Sequence, residues 1–127
     1  MREVLSKIAD SELEVLKVLW RNEKRMTMPS VRDALKPTTG WEGSTIKTLL
    51  YRLCDKGAVR AEKQGVFYYT PLISEQEYHD YATGVFLDKL YNGNVKNLLA
   101  SLIGSKKLKD SDIAELRGMF KVGEQDG

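Results

Sequence analysis

Thr45, Thr48 and Arg52 stand at i, i+3 and i+7, and Ser44, Lys47 and Tyr51 occupy the positions beside them. On a helix, residues at this spacing share one face. The side chains are short hydroxyls, an aromatic and cations, and no acid falls between Ser44 and Cys54. Short hydroxyls let a helix backbone come close to another surface. A Thr methyl packs on thymine, and cations take guanine edges or phosphates. A merely solvated face usually mixes both signs of charge, so this pattern points to DNA. Other chemistries have little to work with. His79 is the single histidine and Cys54 the single cysteine. Neither has a partner suited to a nucleophile, a metal or a disulfide, so the sequence implies no enzyme, cofactor or metal site.

A reading helix needs elements that hold it. Ile46, Leu49, Leu50 and Leu53 fall at i, i+3, i+4 and i+7, which gives the segment from about Trp41 to Lys56 a buried side and a stop at Gly57. Ahead of it, Ile8 to about Asn22 carries Leu13, Leu16, Val18, Leu19 and Trp20 near helical spacing. Glu12 sits where a capping box places its acid, although Ala9 has no side-chain oxygen to complete it. A second helix starts at the N-cap Thr27, turns Val31, Ala34 and Leu35 inward, and ends at Pro37 and Gly40. After Gly57, Ala58–Lys63 and Val66–Pro71 flank Gln64-Gly65 and predict a β-hairpin with a two-residue turn. Two helices, a polar third helix and a basic hairpin make a winged helix-turn-helix. Residues 1–73 form this DNA-binding head.

In that arrangement Ser44, Thr45, Lys47, Thr48, Tyr51 and Arg52 face DNA, and the N-terminus of the second helix at Thr27 aims its amides at a phosphate. Arg60, Lys63 and Gln64 decorate the wing for backbone contacts. Trp41 either packs over the helix-turn-helix or gives its indole N–H to a phosphate.

Residues 74–127 read as three helices. Ser74 and Glu77 form a capping box, and Tyr78, Tyr81, Val85, Phe86 and Leu90 trace a stripe up to Asn92-Gly93. Leu98, Leu99 and Leu102 mark the next helix, and Ile113, Leu116 and Phe120 the last. Such wide stripes need another surface. A second copy of the chain, giving a two-fold homodimer, is favoured over packing back on the head. The overall fold is thus mostly α with a small β-hairpin wing, a winged helix-turn-helix head and a three-helix dimerisation tail. The head carries 13 Lys/Arg against 9 Asp/Glu (+4) and the tail 7 against 9 (−2), which suits a head that meets phosphates. No apolar run approaches the ~20 residues of a membrane span, and acids interrupt any leader-like stretch, so a cytoplasmic location is expected.

The chain resembles the penicillinase repressor family along nearly its whole length. The matching stretches are Ile8 to Leu16, Trp20, Thr45 to Leu53 with Lys56-Gly57, Phe86 to Gly93, and Leu108 to Leu116. The resemblance implies a homodimer that represses transcription on a two-fold symmetric double-stranded operator, with base contacts at Ser44, Thr45, Lys47 and Thr48. It also implies a membrane sensor protease system as a partner, acting through cleavage of a tail bond that is Asn-Phe in the better-known members and Ser101-Leu102 here. Glu42-Gly43-Ser44 replaces the family's usual Ser-Pro-Lys, and Leu13 its usual Trp. A copper-sensing branch uses a cysteine cluster that this tail lacks. The competing class is a winged-helix protein-interaction module without specific DNA binding.

Overall fold

The computed structural model describes residues 2–119. Seven helices and one hairpin follow in the order α1 (Arg2–Ser6), α2 (Asp10–Arg21), α3 (Met28–Thr39), α4 (Gly43–Asp55), β1 (Val59–Gln64), β2 (Val66–Pro71), α5 (Glu75–Tyr91), α6 (Val95–Gly104) and α7 (Asp110–Met119). The fold is mostly α with a β-hairpin wing, and its head is a winged helix-turn-helix. Phe120, expected on the tail's apolar face, lies outside the described residues.

Two compact units divide the chain, 1–82 and 83–127. The first holds one core. Val15, Leu16, Val18 and Leu19 of α2, Val31 and Leu35 of α3, and Ile46, Leu49, Leu50 and Leu53 of α4 are all buried in it. Each helix contributes residues three or four apart, the spacing that lines one helical face. Leu5 of α1, a short helix the sequence reading did not anticipate, and Ile73 close the same core. Packing continues into the start of α5, where Tyr78 and Tyr81 lie against it. The Trp20 indole N–H donates to the Ile73 carbonyl at 2.9 Å, and its ring meets Tyr78 with centroids 6.1 Å apart.

Three local expectations are corrected. Ala34 is exposed, because α3 turns only Val31 and Leu35 inward. Pro37 does not end α3, which runs on to Thr39 and stops at Gly40 in the left-handed conformation. Proline forfeits one backbone bond, and the Thr38 and Thr39 hydroxyls donate to the Leu35 carbonyl in the same turn. The hairpin turn is not the two-residue Gln64-Gly65. Lys63 pairs with Phe67 and Gln64 with Val66, leaving Gly65 alone between the strands with φ +77°. Glycine adopts this conformation without strain. Pairing Lys63 with Phe67 instead of Val66 exchanges the faces of β2. Phe67 and Tyr69 therefore share a face with Ala61 and Lys63, while Tyr68 lies with Gln64 and Glu62.

The second unit is built differently. Among its described residues none is buried. Asn94 caps α6 through its side chain, and Phe86 stacks on Tyr91 at 6.1 Å. Val85, Phe86, Leu90, Val95, Leu99, Ile103, Leu116 and Met119 are all exposed.

Candidate nucleic-acid interface

Local chemistry fixes α4 at its C-terminal end more firmly than at its start. At its start, Glu42 occupies the N-cap and offers no side-chain hydrogen bond. At its end the Gly57 N–H donates to the Cys54 carbonyl at 3.1 Å and the Ala58 N–H to Leu53 at 2.9 Å. Gly57 has φ +82°. This paired pattern needs a left-handed residue, which glycine supplies, and it turns the chain straight into β1.

A buried ion pair ties α4 to α2. Glu12 is 1% exposed. Its carboxylate accepts the Lys56 ammonium at 2.6 and 2.8 Å and the Ala9 N–H at 2.9 Å. Lys56 also donates to the Lys7 carbonyl at 2.7 Å. Glu12 thus performs half of the expected capping box, since Ala9 has no oxygen to return. It also anchors the C-terminal end of α4 against the N-terminal end of α2. Sequence reasoning found the cap but not the ion pair, whose partners stand 44 positions apart.

With α4 held this way, Ser44, Thr45, Lys47, Thr48, Tyr51 and Arg52 are all exposed. Thr48 donates its hydroxyl hydrogen to the Ser44 carbonyl at 3.0 Å, which leaves its methyl and oxygen lone pairs outward. Trp41 is half-buried against the core and borders a hollow with Ser11, Ser44, Thr45, Thr48 and Arg52. Trp41 thus packs against the core while one edge lines the polar hollow. Ser11, near the start of α2, was not anticipated there.

On the other side of α4, Lys47 faces a groove bordered by Thr27, Met28 and Pro29 of the α3 start and Val66, Phe67 and Tyr69 of the wing. Thr27 caps α3, accepting the Ser30 N–H at 3.3 Å, while the Ser30 hydroxyl oxygen accepts the Thr27 N–H at 2.9 Å. Lys47 also borders a second hollow with Tyr51, Cys54, Ala61, Phe67 and Tyr69. Burial pushes the Cys54 thiol above its ordinary pKa. Burial, and then the neighbouring Cys54, does the same to the Tyr69 hydroxyl. Both groups are neutral at pH 7, so neither adds negative charge beside Lys47.

In the wing, Lys63 and Gln64 are exposed near the tip and Arg60 lies on β1 paired with Glu62 at 3.0 Å. Lys63 sits 5.8 Å from the Phe67 ring centroid. The segment before α3 joins the hairpin as an extra edge: Met26 N–H donates to the Tyr69 carbonyl at 3.2 Å and Tyr69 N–H to Met26 at 2.7 Å. This bridge brings Arg25 to the wing, a residue sequence reasoning missed.

Residues 8–121 match the family model described as penicillinase repressor. The chain belongs to the penicillinase repressor family. It is 36% identical over 113 residues to the penicillinase repressor of Bacillus licheniformis, covering 88% of each chain. It is 26% identical over 114 residues to the methicillin resistance regulatory protein MecI of Staphylococcus aureus, covering 89% of this chain and 92% of that one. Among solved structures, the DNA-binding domain of the repressor BlaI matches with a TM-score of 0.52 at 43% identity, covering 58% of this chain and 90% of the other. Monomeric Bacillus licheniformis BlaI in complex with the blaP half-operator matches with a TM-score of 0.50 at 44% identity, covering 57% and 88%.

Among the described residues, no group of histidine, cysteine and acids is arranged to hold a metal, and no helix is long and apolar enough to cross a membrane.

Proposed function

We infer that this chain is a DNA-binding transcriptional repressor that reads duplex DNA through α4. The observation that carries this is the exposed, acid-free face of α4, with Ser44, Thr45, Lys47, Thr48 and Arg52 between the polar hollow at Trp41 and the groove at Thr27. An α-helix fits the major groove, where hydroxyls and cations meet base edges. Lys47, Lys63 and the α3 start at Thr27 are suited to phosphates. The relatives named as repressors, and the BlaI domain bound to its half-operator, support the same role.

The repressor acts as a two-fold homodimer, with residues 1–73 as the DNA-binding head and 74–127 as the dimerisation part. The exposed apolar residues of α5, α6 and α7 support this, since short helices in water are marginal without a surface to pack on. Val85, Phe86, Leu90, Leu98, Leu99, Leu102, Ile113 and Leu116 form the contact. Tyr78 and Tyr81 already spend part of their surface on the head's own core. Two heads related by a two-fold axis would meet half-sites spaced by whole turns of the duplex. A membrane sensor protease is the regulatory partner that family membership suggests. The bond matched to the cleaved one, Ser101-Leu102, lies inside α6, and cutting it would divide the proposed dimer face.

Titration of a labelled duplex over a range of salt tests the DNA reading. Affinity falls as salt rises, with a log–log slope of about −0.9 per phosphate contacted. Binding that ignores salt, or no binding, rejects the reading in favour of a protein-interaction module.

A further inference from the structure

We infer that Arg25 is a DNA-backbone contact, a phosphate-binding residue carried by the loop between α2 and α3 and held ready by the wing. The inference rests on the DNA-binding reading of α4. Arg25 Nη2 donates to Gln64 Oε1 at 2.6 Å. Its Cζ lies 4.3 Å from the centroid of the Tyr68 ring. The backbone beneath it is pinned to β2 through the Met26–Tyr69 hydrogen bonds. The guanidinium is therefore fixed from two sides, by a side-chain amide near the wing tip and by an aromatic face.

That arrangement leaves most of the group's binding capacity unused. A guanidinium has five N–H donors, and Gln64 takes one of those of Arg25. Among the described residues, no carboxylate lies within ion-pair distance of Arg25. Glu62, the acid on the same face of the hairpin, is engaged by Arg60 at 3.0 Å. An exposed cation held by neutral groups keeps its full charge for an outside anion.

Its position names the anion. Arg25 stands two residues before Thr27, where α3 opens onto the groove shared with Lys47 and Val66. A phosphate strand drawn to the first-turn amides of α3 and to Lys47 passes beside the wing tip, where Gln64 holds the guanidinium. Arginine binds phosphate in a planar, bidentate manner, and stacking on an aromatic ring reduces the freedom lost on binding. Gln64 and Tyr68 are then positioning residues for Arg25, a role distinct from direct contact.

The test uses the full chain, a labelled mixed-sequence duplex and a salt series for wild type, Arg25→Ala, Arg25→Gln and Arg25→Lys. Losing one phosphate contact flattens the log–log slope by about 0.9 in both neutral variants, and lysine restores most of it. Arg25→Gln serves if Arg25→Ala loosens the wing, since it keeps a side chain against Tyr68. Arg25→Ala also weakens binding less in a Gln64→Ala background than in wild type, because the guanidinium is already unanchored there. A lowered thermal midpoint with an unchanged slope in both neutral variants makes Arg25 a brace for the wing and overturns the inference. Wild type that binds normally while Arg25→Gln matches it overturns the inference alone. Failure of wild type to bind any duplex overturns it together with the DNA reading.

Discussion

Replacing Lys56 with methionine strips the Glu12 carboxylate of its ammonium partner. Glu12 is 1% exposed and keeps only the Ala9 N–H, at 2.9 Å. Removing one member of a buried pair typically costs about 3–5 kcal/mol, because the remaining charge is left uncompensated. The Lys56 side chain is 26% exposed, so water reaches its end of the pair, and the lower figure of about 3 kcal/mol applies. That is a large share of the ~5–15 kcal/mol that holds a typical domain together. Urea unfolding followed by tryptophan fluorescence measures it, at fixed protein concentration because association also shifts the midpoint. With an m-value of about 1–3 kcal/mol/M, the midpoint falls by about 1–3 M. The double variant Glu12→Met/Lys56→Met is less destabilised than Lys56→Met alone, since no buried charge remains. A single-variant loss below about 1 kcal/mol, the range of exposed pairs, would refute the reasoning. So would a double variant no more stable than the single one.

Three further outcomes follow from the same structure. Ala9→Ser raises stability by about 1 kcal/mol in the same urea assay, because a cap oxygen joins the Glu12 half of the box; an unchanged midpoint means the free amides are already satisfied. Cys54, its thiol pKa raised by burial, holds less thiolate at pH 8 than a free thiol and reacts more slowly with a disulfide reagent until urea unfolds the head; equal rates in the folded state contradict the burial. Leu90→Asp, at a position 60% exposed in the single chain, removes about 1.5–3 kcal/mol of burial from each half of a two-fold contact. Sedimentation then shows a dimer dissociating at least about tenfold more readily, whereas an unchanged mass distribution places Leu90 outside the contact.

Much of the head was legible because burial leaves a periodic trace. The runs ending at Leu19, Leu35 and Leu53 specify three helices, and Thr27, Gly40 and Gly57 mark where two of them begin or end. The exposed side of α4 was readable for the complementary reason: with its apolar side known, the opposite side follows. Local pairings hid more. Nothing in the residues around Gly65 distinguishes a two-residue turn from a link through Gly65 alone, yet that choice decides whether Val66 or Phe67 stands opposite Lys63. Glu12–Lys56 and Arg25–Gln64 join residues 44 and 39 positions apart, and separations of that size leave no periodic signal. A Lys24-Arg25 pair in a loop gave a hint of charge without a place to put it. The α5 stripe mixes two destinations. Tyr78 and Tyr81 meet the head, whereas Val85, Phe86 and Leu90 remain exposed, and one continuous apolar pattern cannot show where the first destination gives way to the second.

The most direct measurement is selection of bound duplexes from a randomised library by wild type and by Thr45→Ala/Thr48→Ala. Wild type enriches a two-fold symmetric sequence with half-sites spaced by whole helical turns, and the double variant loses that preference while retaining most of its salt-dependent affinity for arbitrary DNA. No enriched sequence from wild type, or the same enrichment from both proteins, would contradict reading of bases by α4.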